Sequence, residues 1–473
     1  MAYKKKLYAL NPQSPPRQIQ TQRTRRKRRT EPCDPPSLER QVRQLLADKI
    51  SGNQVGIWLL VPEHLRLGTW DLLCAWAGAP TPSVEPRLAL QLVHEAALCA
   101  HGIRQDRSLS QKGFEVVNGL PFVASDAAVH ELLAAHTVAQ AQQLQIGLGK
   151  LRRASHHFQG RLLAIDPHRI KSYTQPQMHR HRHDPRYKAL KMAQTFFCLD
   201  TQTAQPICFT LASAARTVAQ ATPELLQLAQ AILNPTGTRP LVLADCEHYD
   251  YQVVDHVSQN TPFDLLVPMP QRKCLQKRCA ALPASAFTHH WAGYATAKAP
   301  FRMKHSPSQS YFQLVQRSGE RPENYLYKAF LATADRDQLL DLTDHYPNRW
   351  HVEEFFKFNQ PLGWERAGTL NLNIRYAQMT LALVAQAVIH QLRQRLGAPL
   401  NQWDATHLAK DLFGGLEGDV RVSDDTILVT YYNAPNVELL RQHYEHLPEK
   451  LAAQSVAPQI PWLYNYKLDF RFR

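Results

Sequence analysis

The chain has 473 residues, of which 44% are hydrophobic and 20% are charged. These ordinary values give enough apolar side chains for several domains, and they exclude collagen-like, coiled-coil and wholly disordered classes. No run of about 18 apolar residues occurs, so no membrane partner is expected. Eight cysteines without a CxxC pair, and no export signal, predict reduced thiols in the cytoplasm.

The positive charge is concentrated at the start of the chain. The formal net charge is +15, and residues 1–30 hold ten Lys and Arg with no Asp or Glu. Such a block cannot bury apolar surface and attracts polyanions, so residues 1–36 are predicted to form a disordered basic tail that binds DNA. Its densest DNA-binding candidates are Arg25, Arg26, Lys27, Arg28 and Arg29. A solubilising tail is the alternative.

Residues 37–150 read as an all-helical N-terminal domain. A first helix opens at Ser37, and a stronger one opens at Ser125 with apolar residues at helical spacing. The size suits a DNA-binding module, although no recognition helix can be identified and core packing explains the apolar residues better than a contact role does.

Residues 151–261 show apolar runs typical of buried strands. Two of these runs, Leu162–Asp166 and Leu241–Asp245, end in a carboxylate, and the runs at 195–199 and 207–211 lie between them. Thr222 followed by Pro223 predicts the start of a helix before the last run.

The remainder of the chain divides into three predicted parts. Residues 262–336 are strand-like with scattered Pro and Gly, which indicates a β-rich insertion. Residues 337–400 hold two predicted helices, over about 337–359 and 374–396. The C-terminal region, 401–473, offers one strand candidate at 426–432.

Asp166 and Asp245 are the first candidates for chemistry. Two buried strands lying side by side would bring both carboxylates to one edge of a sheet, where they could not both stay ionised without a cation. Oxygen-only ligands suit Mg²⁺ or Mn²⁺. The alternative is that each Asp caps a strand or a following helix.

The third candidate lies in the helical stretch near residue 350. Tyr346, Arg349 and Glu353 fall on one helical stripe, and a neighbouring aromatic stripe can anchor the helix in the core. A solvated face of salt bridges is an equally good reading from spacing alone.

These residues carry a family resemblance. Tyr-x2-Arg-x3-Glu at 346–353, followed by Phe-Phe-Lys, resembles the signature of bacterial insertion-sequence transposases with a DDE triad. The strands ending in Asp166 and Asp245 resemble the first two catalytic strands of that family, and the similarity covers roughly residues 115–395. Two positions depart from the family pattern, since Gln360 stands where a Lys is usual and Cys246-Glu247 where Arg-Gly is common.

The resemblance implies an α/β fold with an RNase H-like mixed sheet, interrupted by the β-rich insertion and preceded by the helical domain. The catalytic domain would then comprise residues 151–261 and 337–400. The implied catalytic and metal-binding residues are Asp166, Asp245 and Glu353, which would hold two Mg²⁺ or Mn²⁺ ions. Tyr346, Arg349 and Lys357 would contact DNA near the cleaved end.

The implied function is a transposase, an endonuclease that cuts transposon ends and joins their 3′-OH groups to target DNA by phosphoryl transfer with two metal ions. Its partner would be double-stranded DNA, both transposon ends and target, and it would act as a homodimer in the DNA complex. It would be cytoplasmic, associated with the bacterial nucleoid. The alternative is a catalytically inactive or domesticated DNA-binding protein derived from a transposase, a reading to which Gln360 adds weight.

Overall fold

The computed structural model of the chain describes residues 34–52, 54–100, 112–172, 180–181, 188–213, 215–365, 369 and 371–473. The five basic DNA-binding candidates from Arg25 to Arg29, and the predicted tail as far as residue 33, lie outside these residues. Their role stays a prediction.

The region after the tail is helical, as predicted, with one short strand added. The side chains of Ser125 and Thr137 cap two of its helices by accepting hydrogen bonds from backbone N–H groups. The elements are α1 Pro35–Ala47, β1 Ile50–Gly52, α2 Val61–Leu67, α3 Thr69–Ala77, α4 Val84–Ala97, α5 Lys112–Val117, α6 Asp126–Ala135 and α7 Val138–Ala154.

A large mixed sheet follows. Its strands are β2 Leu162–Lys171, β3 Arg180–His181, β4 Leu190–Asp200, β5 Gln205–Ser213, β6 Leu241–Leu243, β7 Asp264–Pro268, β8 Thr288–Trp291, β9 Tyr294–Met303, β10 Ser306–Ser318 and β11 Leu326–Ala332. They lie in the order β3-β4-β2-β6-β7-β11-β10-β9-β8, and β5 also pairs with β4. Only the contacts of β6 with β2 and β7 are parallel among the described strands of this sheet. The mixed α/β fold class is thereby confirmed.

The strands of the predicted insertion extend this sheet instead of forming one of their own. Strand β7, near the predicted start of the insertion, is parallel to β6, and β11 pairs with β7 on its other side. The strands β8 to β11 continue outward by antiparallel pairing. The domain borders stay a prediction.

Three helices accompany the strands: α8 Val218–Leu233, α9 Tyr251–Asn260 and α10 Lys273–Ala280. The predicted start of α8 at Thr222 is wrong. A capping box of Thr217 and Gln220 opens the helix earlier, and Pro223 lies inside it. Apolar residues of α8 and α9 pack with Leu163, Ile165 and Val242 on one face of the sheet.

The stretch predicted as one helix near 337–359 is a chain of different helical turns. It comprises α11 Gln338–Leu340, a π-helical turn Asp341–His345, a 3-10 turn Pro347–Trp350 and α12 His351–Asn359. Pro347 has no N–H to donate, so an α-helical ladder cannot pass through it unbroken. Leu342 and Tyr346 pack with Leu162, Leu243 and Phe330 on the second face of the sheet.

The chain ends in a long buried helix and a smaller sheet. Helix α13 Leu372–Leu396 packs against α4 and α7. The later elements are α14 Ala405–His407, β12 Gly418–Ser423, β13 Thr426–Tyr431, α15 Val437–Tyr444, α16 Leu447–Ala453 and β14 Lys467–Phe472. Strand β1 joins β12, β13 and β14 in one sheet, so the N-terminal and C-terminal regions share a structural unit. None of the described helices has the length and apolar character needed to cross a bilayer.

Candidate active site

Asp166 lies within β2, not at its end as predicted. The strand continues to Lys171 because its antiparallel pairing with β4 continues that far, whereas its parallel pairing with β6 stops at Ala164. Asp166 therefore stands just past the point where the neighbouring strand leaves the sheet. Its side chain keeps 20% exposure.

Asp245 follows β6 at the same end of the parallel pair. Its carboxylate accepts a hydrogen bond from the Glu247 N–H at 3.1 Å and lies 2.7 Å from Nδ1 of His248. Burial alone would raise the pKa of Asp245, but the hydrogen bond and charge of His248 and the charge of Arg349 outweigh it and lower that pKa. Asp245 thus caps a 3-10 turn, as the alternative reading suggested, and also faces the site.

Glu353 reaches the site on α12. Phe197 is the cross-strand partner of Asp166, and its ring packs against Phe355 and Phe356 with centroids 5.7 and 5.1 Å away. Cross-strand partners face the same side of a sheet, so this aromatic contact seats α12 on the face that bears Asp166. Glu353 is 45% exposed there.

Arg349 lies between two of the three predicted catalytic carboxylates. Its Nη1 is 3.3 Å from Oδ1 of Asp166, and its Nη2 is 3.9 Å from Oε1 of Glu353. One guanidinium therefore neutralises charge on side chains that are 187 positions apart in the sequence numbering. Its own side chain is only 16% exposed.

The electrostatics at Asp166 reflect crowding of acids. Burial raises the pKa of Asp166 to about 7, and the negative charges of Asp245, Glu353 and Glu247 push in the same direction against Arg349. A carboxyl group in this state binds a proton or a cation readily near neutral pH.

Tyr346 packs beneath the site. Its ring meets that of Phe330 with centroids 4.8 Å apart, and its hydroxyl is 3.5 Å from the carbonyl oxygen of Ala244. Burial raises the pKa of Tyr346, so its hydroxyl stays protonated as a donor. Asp245, Tyr346 and Arg349 line one cavity of about 650 Å³, which we call the catalytic cavity.

Lys357, the remaining predicted DNA contact, is exposed on α12. It forms no ion pair with any residue that the structure describes. Lys357 is therefore accessible to a DNA phosphate, but it forms no ion pair with the carboxylates of the site.

The two departures from the family pattern both have partners in the structure. Glu247 forms a two-pronged ion pair with Arg169, which lies three residues after Asp166. Gln360 Nε2 is 3.0 Å from Nε2 of His168, whose ring stacks on Phe356 at 4.1 Å. Sequence reasoning missed Arg169, His168 and His248, because nothing in their spacing signals contact across strands and turns.

The three carboxylates are near one another without forming a closed ligand set. Among the described residues, no three His, Cys, Asp or Glu side chains are arranged so that they could hold a metal ion. The guanidinium of Arg349 is the cation at Asp166 and Glu353 in this arrangement.

The central part of the chain matches a known family of domains. Residues 157–387, which contain all three carboxylates, match the family described as transposase DDE domain. A solved structure, a piggyBac transposase synaptic complex with hairpin DNA, is similar with a TM-score of 0.41 and 11% identity, over 75% of this chain and 79% of that one. So slight a likeness establishes nothing further, and no curated protein matches the chain. Residues 157–387 are thus similar to a transposase DDE domain, the family that the signature at 346–353 resembles.

Proposed function

We propose that this chain is a transposase, which cuts the ends of a mobile element and joins the freed 3′-OH groups to target DNA, using two divalent cations. The observation that carries the proposal is the convergence of Asp166 and Glu353 on one guanidinium, with Asp245 at the same end of the parallel strands. These three acids come from distant parts of the chain and all lie within the matched residues 157–387, which supports a shared role for them.

The donor set fits Mg²⁺ or Mn²⁺. All three side chains offer carboxylate oxygens, which these hard cations prefer. The raised pKa of Asp166 indicates that the neighbouring acids repel its negative charge, a repulsion that a bound cation relieves. Asp166, Asp245 and Glu353 would hold the ions once Arg349 leaves Asp166 and Glu353.

The chemistry comprises two phosphoryl transfers. In the first, water attacks a phosphodiester at the transposon end, the P–O3′ bond breaks, and a 3′-OH and a 5′-phosphate result. In the second, that 3′-OH attacks a target phosphodiester, a new P–O3′ bond forms, and the target strand leaves with a free 3′-OH. When bound, the cations supply charge neutralisation at the attacking and leaving oxygens.

The remaining residues of the site act on the DNA. Arg349, released from the carboxylates, pairs its forked donors with phosphate oxygens near the cleaved end. The Tyr346 hydroxyl donates a hydrogen bond there, and Lys357 and the basic residues from Arg25 to Arg29 add charge contacts. Because two transposon ends must be cut and joined together, the DNA complex contains a homodimer of this chain. The complex assembles on the DNA of the bacterial nucleoid.

A second candidate is a DNA-binding protein that has lost catalysis. It is favoured by the lack of a closed three-ligand set in the described residues and by the contact of Gln360 with His168 where the family usually has Lys. Under this reading the Arg349 pairing with Asp166 is permanent.

A nicking assay on labelled transposon-end DNA tests the proposal. We expect cleavage with Mg²⁺, none with EDTA, and none with Asp166→Asn, while that variant still binds the DNA. Binding without any cleavage by the wild-type chain supports the second candidate. Undiminished nicking by Asp166→Asn contradicts the assignment of the site.

A further inference from the structure

The segment between β7 and β11 has an unusual charge. Residues 265–319 contain eight Lys and Arg and neither Asp nor Glu. A stretch of this length without one acid produces a positive field that its own residues cannot neutralise. The function proposed above makes no use of it.

Two of the eight basic residues have structural roles. Lys298 forms an ion pair with Asp335 at 2.5 Å. Arg317 is buried with its guanidinium 4.4 Å from the ring centres of both Phe287 and Tyr325. These two charges are therefore committed within the fold.

The other six are exposed: Arg272, Lys273, Lys277, Arg278, Arg302 and Lys304. None of them forms an ion pair with any other residue in the described part of the chain. Exposed cations that no carboxylate pairs with are the usual footprint of a polyanion site.

Three of the six converge on one concave surface. Arg272 and Arg278 of the α10 region and Lys304 of the β9–β10 turn line a cavity of about 370 Å³, together with His305, Tyr251 and one acid, Asp250. The carboxylate of Asp250 accepts a hydrogen bond from a backbone N–H at the start of α9, so three cations face one acid that already has a partner. The rings of His305 and Tyr251 are 5.5 Å apart. We call this the basic cavity.

The basic cavity adjoins the catalytic cavity. Met269 and Pro270 line both of them, and the catalytic cavity also contains Asp245 and Arg349. The two cavities therefore share a wall, with Asp245 and Arg349 on one side of it and the three cations on the other.

We infer that the basic cavity binds the phosphate backbone of the DNA duplex whose scissile phosphate lies at the carboxylates. Arginine forks and a lysine suit phosphodiester oxygens, and the adjoining position lets one duplex occupy both cavities. The inference rests on the proposed function. It adds to that function the surface on which the DNA duplex lies next to the cleaved phosphate.

The test compares two triple variants of the full chain. Arg272→Gln, Arg278→Gln and Lys304→Gln remove the charge of the basic cavity. Arg421→Gln, Arg471→Gln and Lys410→Gln remove the same number and kinds of exposed cation in the C-terminal region, none of which forms an ion pair with any described residue. Binding of an end duplex is measured by fluorescence anisotropy over a range of salt concentrations.

We expect the first triple variant to bind about 10- to 100-fold more weakly and to reduce the slope of log affinity against log salt by about two to three, since each neutralised phosphate contributes about 0.9. The control triple variant should match the wild type. Equal binding by both triple variants overturns the inference. Absence of nicking by the wild-type chain overturns the proposed function instead, so the two failures are distinguishable.

The exposed thiol of Cys274, which also lines the basic cavity, identifies the source of the phosphate. A photo-crosslinker on this thiol, in a background with Cys33→Ser and Cys246→Ser, should label duplex DNA at a fixed distance from the cleavage site. A free nucleotide is tested with ATP. Protection of Cys274 by ATP, without duplex crosslinking, overturns DNA as the ligand.

Discussion

At the scale of single residues, the ionised form of Asp166 is electrostatically disfavoured in the folded protein. Its pKa is raised by burial first and then by Asp245, Glu353 and Glu247, and Arg349 offsets only part of this. The side chain therefore costs stability when it is ionised, which is the expected signature of a group kept for function rather than for folding.

Asp166→Asn should stabilise the metal-free protein at high pH. The pKa is near 3.8 in the unfolded chain and about 7 in the folded one, so the folded state holds the extra proton between these values. Stability is thus lost as pH rises through this window, and the neutral amide avoids that loss. We expect a gain in the free energy of unfolding on the order of 2 kcal/mol at pH 8 and a smaller gain at pH 5. Urea unfolding in EDTA measures both.

The exposed Asp48 provides the control for this prediction. Asp48→Asn should leave the stability within about 0.5 kcal/mol of wild type at both pH values. A pH-independent effect of Asp166→Asn would show that its carboxyl is not under strain.

Glu353→Gln should lower the rate of DNA nicking by at least about 100-fold, because the amide removes a charged ligand from the carboxylate set. Its neighbour Glu354 is equally an exposed acid on α12, but Glu353 is the one near Arg349. Glu354→Gln should keep nicking within a few-fold of wild type. The reverse result would assign the third carboxylate to Glu354.

At the scale of elements, α12 is placed by its aromatic side. Phe355 is 2% exposed and packs against Phe197 and Trp364, whereas Phe358 on the same helix is 41% exposed. The buried side of α12 thus fixes the orientation of the helix, and with it the position of Glu353 relative to Asp166.

Phe355→Ala should lower the free energy of unfolding by about 3–5 kcal/mol, since it leaves a cavity among large rings. Phe358→Ala, the matched control, should cost less than about 1 kcal/mol. Chemical denaturation of both variants checks the difference. Similar losses for the two would contradict the packing of α12 on β4.

Local sequence predicted the elements better than their ends. The apolar runs at Leu162 and Leu241 and those at 195–199 and 207–211 are strands, and the helices before 150 and near 374–396 are present. The end of β2 was mispredicted because pairing with β4, which is remote in sequence, extends it. Helix α8 begins before the Pro223 signal because the capping box of Thr217 and Gln220 satisfies its first backbone N–H groups.

The site was predictable only in part. The family signature pointed to Asp166, Asp245 and Glu353, whose shared location depends on strand order and on ring packing. The partners of Glu247 and Gln360 were not predictable, since Arg169 and His168 reach them across strands and helices.

At the scale of the whole molecule, positive charge is placed at two separate parts of the chain, residues 1–30 and the acid-free segment 265–319. Long-range attraction of DNA depends on the sum of such charges, whereas cleavage depends on the few groups at the carboxylates.

Deleting residues 1–30 should weaken binding to any DNA sequence and make its salt dependence less steep. The slope of log affinity against log salt should fall by about 0.9 for each phosphate that the tail neutralises in the full chain. A chain of unchanged length, with the ten tail Lys and Arg replaced by Gln, should behave like the deletion. An unchanged slope in both would show that the tail does not bind phosphate.

The central claim is that Asp166, Asp245 and Glu353 together hold divalent cations at a DNA end. A crystal structure of the chain with end DNA and Mn²⁺ tests it most directly, through the anomalous signal of the metal. We predict Mn²⁺ bound by oxygens of all three carboxylates, with Arg349 moved onto a DNA phosphate. Mn²⁺ bound elsewhere, or Arg349 still paired with Asp166 while DNA occupies the site, would contradict the claim.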